Sequence, residues 1–244
     1  LAGLARADAP YNTPITTVKA SAEVVLGAAA GSDLAQFPGL VSIDRVVSGA
    51  ARKRVLAYWD VHPDVPGVTP PPREGKRDDG PLTFPFTYSA FDNGVIRLRD
   101  GRLLGVDFTS RMLPLGAATG TSQEIDTYIS SNEGLTFAKT TGTLTTSLMK
   151  SVNAGSGRGG FVFHRSLWQA NDGTIYGTFY GNYNTDTTWR VLWCKTTNFG
   201  VTWTVFSTIA TGNMNETAVA ECADGSLLAI MRGPEPYLYH SRST

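Results

Sequence analysis

Short apolar runs separated by Asp-Gly pairs recur along the chain. The pairs are Asp100-Gly101, Asp172-Gly173 and Asp224-Gly225, and a weaker copy has Ser48-Gly49 between two apolar runs. Such a pattern is typical of a β-hairpin, since glycine readily takes the positive φ that a type I′ turn requires. The sequence therefore predicts four hairpins. The one segment with a helical period is residues 20–30, which can equally form a strand.

A second pattern follows the hairpins, and we call it the signature loop. Its frame is Ser/Thr-x-Asn-x-Gly-x-Thr-aromatic, with complete copies at residues 130–137 and 196–203, a decayed copy at 79–84, and the beginning of another at 241–244. The Asn can bind backbone amides of its own turn, the Gly can take a positive φ, and the aromatic ring can pack between strands. We interpret the loop as a structural element and assign no chemistry to it.

The hairpins and signature loops alternate with strand-like runs at a period of roughly 50 to 65 residues. Each repeat supplies a hairpin, a third strand, the loop and a fourth strand, which together make a four-stranded antiparallel sheet. Repeats of this size and content are typical of propeller blades. The sequence therefore predicts an all-β propeller with about four blades in this chain.

The composition agrees with a β-rich fold and excludes several classes of function. Charged residues make up 17% of the chain, while glycine and proline number 26 and 13. The 21 basic and 21 acidic side chains balance, so no charge excess attracts nucleic acid. No apolar run reaches the length of about 18 residues that spans a membrane. Cys194 and Cys222 have no neighbours at zinc-binding spacing, so we expect no metal or other cofactor, and they can form one disulfide in an exported protein.

The two ends of the chain lead to further predictions. Ala7 and Ala9 precede a proline, as at the end of an export signal or in an ordinary alanine-rich terminus. We assign residues 1–34 to an export remnant with a leading strand near 23–26, and residues 35–244 to the propeller. The export interpretation places the protein outside the cell. Because the fourth repeat stops inside its signature loop, we expect further C-terminal blades or a second chain to close the ring.

The signature loop resembles the Asp box, the repeat of sialidase-like β-propellers, with Asn132 and Asn198 in the position of the aspartate. Together with the hairpins in register, the loops extend the resemblance over residues 36–244. The resemblance implies a six-bladed propeller and an enzyme that hydrolyses terminal sugars from glycans. Asp boxes also occur in proteins with other activities or none, so the resemblance indicates the fold more specifically than the reaction.

Ionisable residues occupy equivalent positions before the Asp-Gly turns. Counting back nine residues from each turn glycine gives Asp92, His164 and Glu216. In a propeller these positions begin the innermost strands, beside the central channel. The matching positions at the ends of the second strands are Asp60, Phe108, Tyr180 and Arg232. Glu216 and Arg232 each lie eight residues from Asp224, so an antiparallel hairpin should place them side by side.

The resemblance implies roles for only some of these residues. Glu216 and Arg232 match the segment in which the family carries the carboxylate that activates the nucleophile and one substrate-binding arginine. The arginine that opens the family's first blade is replaced by Gln36, and the family's acidic motif appears as Asp60-Val61-His62, so the acid is Asp64, Asp78 or neither. Asp60 with His62 can form an acid-base pair or belong to a solvated surface loop. Because glutamine cannot supply the charge of an arginine, these departures favour a neutral or differently charged sugar over sialic acid.

Two functions follow from these observations. The leading hypothesis is a secreted exo-glycosidase with Glu216, Asp60 and Asp64 as catalytic candidates. Its glycan substrate would be bound by Arg232, Asp92, His164, Tyr180 and Tyr183. Tyr180, Tyr183 and Trp189 can serve as sugar-stacking platforms or as plain packing. The alternative is a non-catalytic propeller that binds carbohydrate or a receptor, such as an adhesin or a viral tail component, and Glu216 with Arg232 would then be a structural ion pair.

Overall fold

The computed structural model describes residues 35–43, 45–47, 50–52, 55–61, 74–77, 86–89, 94–106, 120–149 and 160–243. Every helix or strand in these ranges is a β-strand, which confirms the all-β prediction. No helix in the described part of the chain is long and apolar enough to cross a membrane. The predicted leading strand near 23–26 and the decayed signature loop at 79–84 lie outside the described residues.

The strands form four successive units along the chain. Unit 1 contains β1 (Ala35–Ser42), β2 (Arg45–Val47), β3 (Ala50–Arg52), β4 (Val55–Val61), β5 (Glu74–Arg77) and β6 (Phe86–Ser89). Unit 2 contains β7 (Gly94–Arg97), β8 (Leu103–Val106), β9 (Ser122–Ser130) and β10 (Ala138–Thr145). Unit 3 contains β11 (Phe161–Gln169), β12 (Ile175–Gly181), β13 (Arg190–Thr196) and β14 (Thr202–Ala210). Unit 4 contains β15 (Thr217–Glu221), β16 (Leu227–Arg232) and β17 (Leu238–Arg242).

In units 2 to 4 consecutive strands pair antiparallel, so the three Asp-Gly hairpins are observed, while the turn at Ser48-Gly49 lies outside the described residues. In unit 1 the sheet order is β1-β4-β5-β6, and β2 pairs with β3 between the first two strands of that sheet. Units 2 and 3 are four-stranded meanders, and three strands of unit 4 are described. The first four residues of β9 alternate between exposed and buried, as in a strand packed on one face, and β13 has a buried run, as in a strand packed on both faces.

Units 2 and 3 join into one eight-stranded sheet of order β11-β12-β13-β14-β10-β9-β8-β7. The join is a parallel ladder between β10 and β14. The end strands β7 and β11 contact each other, so the sheet nearly closes on itself like a barrel. The first strands of successive units, β1, β7, β11 and β15, also contact one another in that order. This resembles a propeller, in which blades meet at their inner strands, while the number of blades stays a prediction.

The join between units 2 and 3 depends on a close approach at Gly142 in β10. The backbone N–H of Thr143 donates to the carbonyl oxygen of Val201 at 3.0 Å. A Cβ added at Gly142 would lie 1.9 Å from the carbonyl oxygen of Gly200, so a larger residue would push the neighbouring loop away. The second signature loop therefore contacts the preceding unit as well as shaping its own.

Both signature loops have the same internal hydrogen bonds, as their sequence predicts. In the first loop, Asn132 Oδ1 accepts from the Thr136 N–H at 3.0 Å, and Asn132 Nδ2 donates to Thr136 Oγ1 at 2.9 Å. Ser130 Oγ donates to Asn132 Oδ1 at 2.9 Å and accepts from the Gly134 N–H, also at 2.9 Å. Gly134 has φ of 82°, and the residue before it, Glu133, has φ of 59°, which the sequence did not predict.

Replacing Asn198 by alanine should destabilise the protein by about 1–2 kcal/mol, because the loop would lose three side-chain hydrogen bonds at once. In the second loop Asn198 Oδ1 accepts from the Thr202 N–H at 2.9 Å and Nδ2 donates to Thr202 Oγ1 at 2.8 Å. Urea denaturation measures the change. The control is Thr197→Ala, an exposed neighbour expected to change stability by less than about 0.5 kcal/mol. Equal effects of the two substitutions would show that the loop is not stabilised by its asparagine.

The Asp-Gly turns differ from the predicted type I′. In the first, the Gly101 N–H donates to Leu98 O at 2.9 Å and the Leu98 N–H donates to Arg102 O at 2.8 Å. Gly101 has φ of 90°, while Asp100 is not among the residues with positive φ. This is a three-residue loop in which a type I turn is followed by a left-handed glycine, and the turns at Gly173 and Gly225 share its hydrogen bonds. The type I′ prediction was therefore wrong, since the aspartate keeps a negative φ and binds the turn through its side chain.

The turn aspartates should make the free energy of unfolding depend on pH in the acidic range. Each carboxylate accepts the backbone N–H two residues on, and hydrogen bonding lowers the pKa of all three below its usual range. The largest cause is the Arg102 side chain for Asp100, the Thr174 backbone for Asp172 and the Ser226 side chain for Asp224. A folded-state pKa below the unfolded value of about 3.9 means that this stabilisation is complete above that pH and is lost as the pH falls through the folded pKa.

We therefore expect the free energy of unfolding to fall as the pH drops below about 4, and to fall less in a triple variant with Asp100→Asn, Asp172→Asn and Asp224→Asn. Asparagine keeps the accepting oxygen but does not titrate. Denaturant unfolding at a series of pH values measures both slopes. An unchanged slope in the triple variant would show that other carboxyl groups cause the acid sensitivity.

The main core is formed by side chains from both halves of the eight-stranded sheet, unit 2 and unit 3. Its buried members are Leu98, Leu104, Val106, Ile125, Leu144, Met149, Phe161, Phe163, Ile175, Phe179, Leu192, Cys194 and Trp203. Trp203, the aromatic residue of the second signature loop, is fully buried with its ring 5.5 Å from that of Phe179. The predicted packing role of this aromatic position is therefore observed.

The two cysteines are free, so the disulfide considered from the sequence is absent from the structure. Cys194 lies in the core, and burial raises the pKa of its thiol far above its usual range. Cys222 lies in the turn between β15 and β16. Within the described ranges, no group of three or more His, Cys, Asp and Glu side chains is placed to hold a metal ion.

Candidate functional site

Glu216 and Arg232 lie side by side where β15 begins and β16 ends. Thr217 pairs with Met231 in the antiparallel ladder, and one residue further the Arg232 N–H donates to Glu216 O at 2.8 Å. The side chains also meet, with Arg232 Nη1 at 3.5 Å from Glu216 Oε2. The contact predicted by counting from Asp224-Gly225 is therefore present, because no irregularity interrupts the ladder between the turn and the pair.

A bulge in β11 brings His164 to the same carboxylate. Phe163 pairs with Phe179 but Leu167 pairs with Gly177, so the ladder holds two extra residues on the β11 side. The bulged carbonyl of His164 accepts from Thr178 Oγ1 at 2.7 Å. On the other side of the strand, His164 Nε2 lies 3.9 Å from Glu216 Oε1. Bulges commonly re-aim a side chain in this way, and here the bulge directs the imidazole toward unit 4.

Because of the bulge, the observed register of β11 and β12 differs from the register expected from the sequence. Counting from the turn gives His164 and Tyr180 matching positions, but the structure pairs Tyr180 with Val162. The two side chains remain neighbours, with ring centroids 6.1 Å apart in an edge-to-face contact. A count along the sequence cannot detect extra residues that leave the ladder.

We call His164, Glu216 and Arg232 the site cluster. The exposed fractions of their side chains rise in that order, with 15% for His164, 41% for Glu216 and 65% for Arg232. The glutamate therefore lies between a mostly buried imidazole and a guanidinium in solvent, and part of its carboxylate is open. An exposed ion pair of this kind stabilises a fold by less than about 1 kcal/mol, so stability alone gives little reason for the arrangement.

The residues next to Glu216 hold its backbone in place. Asn215 Oδ1 accepts from the Glu216 N–H at 2.7 Å, and the Thr217 hydroxyl donates to Asn215 O at 2.6 Å. The chain enters this segment through Asn213, whose φ is 68°. Sequence reasoning gave no role to the side chains of Asn215 and Thr178. The sequence could have indicated Thr178, because it lies between Tyr176 and the predicted site residue Tyr180 on the same face of β12.

The two predicted tyrosines differ in their surroundings. Tyr180 is 5% exposed, and its ring lies between those of His164 and Trp189, at 6.1 and 5.5 Å. Tyr183 packs edge-on against Phe161 at 5.1 Å and under the guanidinium of Arg190 at 4.6 Å. Burial raises the pKa of Tyr183. The contacts of Tyr183 favour the packing interpretation over a sugar platform.

Unit 4 contributes two neighbouring tyrosines, Tyr237 and Tyr239, whose ring centroids are 5.1 Å apart. Tyr239 packs partly against Met214 and Met231, in the apolar cluster that also contains Tyr180. A hydrogen bond with the Tyr237 side chain raises the pKa of Tyr239 to about 12.

The remaining predicted site residues are only partly visible. Asp60 lies in β4 with its backbone paired to Gln36 of β1, and its side chain is outside the described part of the structure. Asp64, Asp92 and the further candidates His62, Asp78 and Phe108 also lie outside the described residues. Their catalytic or binding roles stay predictions.

No family model matches the chain, and no curated protein matches its sequence. Solved structures do match its fold. A protein of unknown function from Dyadobacter fermentans has 14% identity and a TM-score of 0.63, over 89% of this chain and 67% of that one. An endo-arabinase from Bacteroides thetaiotaomicron has 14% identity and a TM-score of 0.53, over 82% and 73%.

A third similar structure is an α-L-arabinanase of Penicillium chrysogenum complexed with arabinobiose, with 15% identity and a TM-score of 0.52. The match covers 86% of this chain and 62% of the arabinanase. At such identities the likeness is one of fold. It assigns no reaction to this chain, which spans about two thirds of the length of these proteins.

Proposed function

We propose that this chain is part of a glycoside hydrolase that removes terminal sugars from glycans, with the site cluster in its active site. The observation that carries the proposal is the half-exposed Glu216 carboxylate between His164 Nε2 and Arg232 Nη1. A carboxylate held by two cationic or hydrogen-bonding groups, with one side open to solvent, can accept a proton from a nucleophile or orient a sugar hydroxyl. The structures of two arabinan-cleaving enzymes with a similar fold add support.

Glycoside hydrolysis ordinarily needs a second carboxyl group, which protonates the departing oxygen while the first assists the nucleophile. Asp60 is the first candidate for that acid, because it lies next to the end of β4, the second strand of the unit 1 sheet, as Arg232 lies at the end of the second strand of unit 4. Asp64 is the other candidate. We assign Glu216 to the base, Arg232 and His164 to its orientation, and Asp60 or Asp64 to the acid.

A neutral sugar fits the chain better than sialic acid. The arginine with which the sialidase-like family opens its first blade is Gln36 here, and an amide does not replace the charge and bidentate geometry of a guanidinium. Two similar structures are named as an endo-arabinase and an α-L-arabinanase, and the second is complexed with arabinobiose, a disaccharide of a neutral pentose. We therefore propose a pentose or another neutral terminal sugar, a six-bladed ring completed by further blades or a second chain, and a location outside the cell.

The test is a panel of 4-methylumbelliferyl glycosides on the full-length protein. It should include α-L-arabinofuranoside, β-D-xyloside and α-sialoside. We expect release of the fluorophore from at least one neutral glycoside, and little or none from the sialoside. Glycan-array binding without turnover of any glycoside would support the alternative, a non-catalytic carbohydrate- or receptor-binding propeller such as an adhesin. Turnover of the sialoside alone would contradict the choice of a neutral sugar.

A further inference from the structure

The loop between β12 and β13 presents an aromatic ring beside the site cluster. Trp189 is the last residue of this loop and is 36% exposed, an unusual exposure for so large a ring. Its ring centroid lies 5.5 Å from that of Tyr180, at an angle of 49°. Tyr180 in turn contacts His164, which faces Glu216. Trp189 therefore lies at the far end of a row of contacting side chains that runs from Glu216 through the mostly buried His164 and Tyr180.

The backbone on both sides of Trp189 is fixed by hydrogen bonds from several elements. Its own carbonyl oxygen accepts from the Asn213 N–H at 2.9 Å, which ties the loop to the segment before Glu216. Within the loop, Asn182 Nδ2 donates to Thr188 O at 2.6 Å. These bonds hold Trp189 at a constant position relative to the site cluster, although its ring contributes little to the core.

An ion pair holds the rest of the loop. Arg190 Nε donates to Asp186 Oδ2 at 2.6 Å, and its Nη2 contacts the other oxygen of the same carboxylate. Asp186 Oδ2 also accepts from the Tyr183 N–H at 2.8 Å. This hydrogen bonding to Asp186 raises the pKa of Arg190. Because the loop is ordered before any ligand arrives, a ligand that touches Trp189 would lose little free energy in ordering it.

We propose that Trp189 is a sugar-binding platform, on which the apolar C–H face of a neutral furanose or pyranose ring stacks in a subsite near the site cluster. An indole offers a flat apolar area, and a sugar ring placed on it leaves the hydroxyl groups at its edge free for polar partners. The open carboxylate of Glu216 and the exposed guanidinium of Arg232 are such partners. This inference rests on the proposed function for the identity of the ligand as a sugar.

The inference is tested by binding of arabinobiose and xylobiose to full-length protein carrying Glu216→Gln, so that turnover does not interfere. Isothermal titration calorimetry is repeated with Trp189→Ala, with Trp189→Phe and with Phe206→Ala in that background. Phe206 is a matched control, since it is an aromatic residue 55% exposed on β14 and packs on Tyr176 instead of the site cluster. We expect about tenfold weaker binding with Trp189→Ala, equivalent to about 1.4 kcal/mol, and near-normal binding with Trp189→Phe and Phe206→Ala.

The outcomes separate this inference from the proposed function. Sugar binding that depends on Trp189, in a protein that turns over no glycoside, supports the platform and contradicts the enzyme. Binding that is unchanged by Trp189→Ala, or weakened equally by Phe206→Ala, overturns the platform even when the protein is an active glycosidase. Failure of both disaccharides to bind also overturns it.

Discussion

Glu216→Gln should lower kcat/KM for the best glycoside by a factor of about 10² to 10⁴, the usual contribution of a positioned acid or base. Glutamine keeps the size of the side chain but cannot take a proton, so the groups facing it from β11 and β16 lose the charge between them. Melting should shift by only a few degrees, because an ion pair this exposed stabilises the fold by less than about 1 kcal/mol. Steady-state kinetics and thermal denaturation measure the two effects.

Glu221→Gln is the matched control for this substitution. Glu221 lies at the other end of β15, is exposed, and accepts a hydrogen bond from Trp168 Nε1 at 3.2 Å. Its replacement should leave kcat/KM within about twofold of the wild type. A large loss of stability with little loss of activity in Glu216→Gln would show that the pair with Arg232 is structural.

Trp203→Ala should produce the largest loss of stability in the described part of the chain, about 3–5 kcal/mol. Trp203 is fully buried at the centre of the main core and touches the ring of Phe179. It also pairs with Leu144 in the parallel ladder that joins units 2 and 3. Removing its ring leaves a cavity at the place where the two units meet, so both should loosen together. Urea denaturation should show this as a lower midpoint of a single transition.

The control for the core substitution is Phe206→Ala in the same strand. Phe206 is 55% exposed, so its removal should cost less than about 1 kcal/mol. Equal losses from Trp203→Ala and Phe206→Ala would contradict the view that the aromatic residue of the signature loop anchors the core. A biphasic transition in Trp203→Ala would show that units 2 and 3 unfold separately.

The features that the sequence predicted well are local ones. The Asp-Gly hairpins and the hydrogen bonds of Asn132 depend on residues within four positions of each other, so their chemistry is visible in a short segment. The contact between Glu216 and Arg232 was also predicted, because the ladder back to the turn is regular. The predicted turn type was wrong, since the side chain of Asp100 binds the loop and a negative φ suits it.

Features that depend on contacts between units or on strand irregularities could not be predicted from the sequence pattern. The parallel ladder between β10 and β14 joins strands about 60 residues apart, and a repeat pattern gives no register between them. Gln123 shows the same limit, since its buried amide donates to Phe161 O at 2.6 Å and accepts from the Phe161 N–H at 2.8 Å, as a strand would. The bulge at His164 is a third example, because the two extra residues in the β11 ladder follow no recognisable sequence pattern.

The most direct test of the account is a crystal structure of the full-length Glu216→Gln protein soaked with the glycoside that the wild type turns over fastest. We predict that a water or hydroxyl group beside the anomeric carbon lies within hydrogen-bond reach of the side chain at position 216, about 3 Å, with Arg232 on the same sugar. Sugar bound elsewhere on the protein, with no contact to the site cluster, would contradict the assignment of Glu216 to the chemistry.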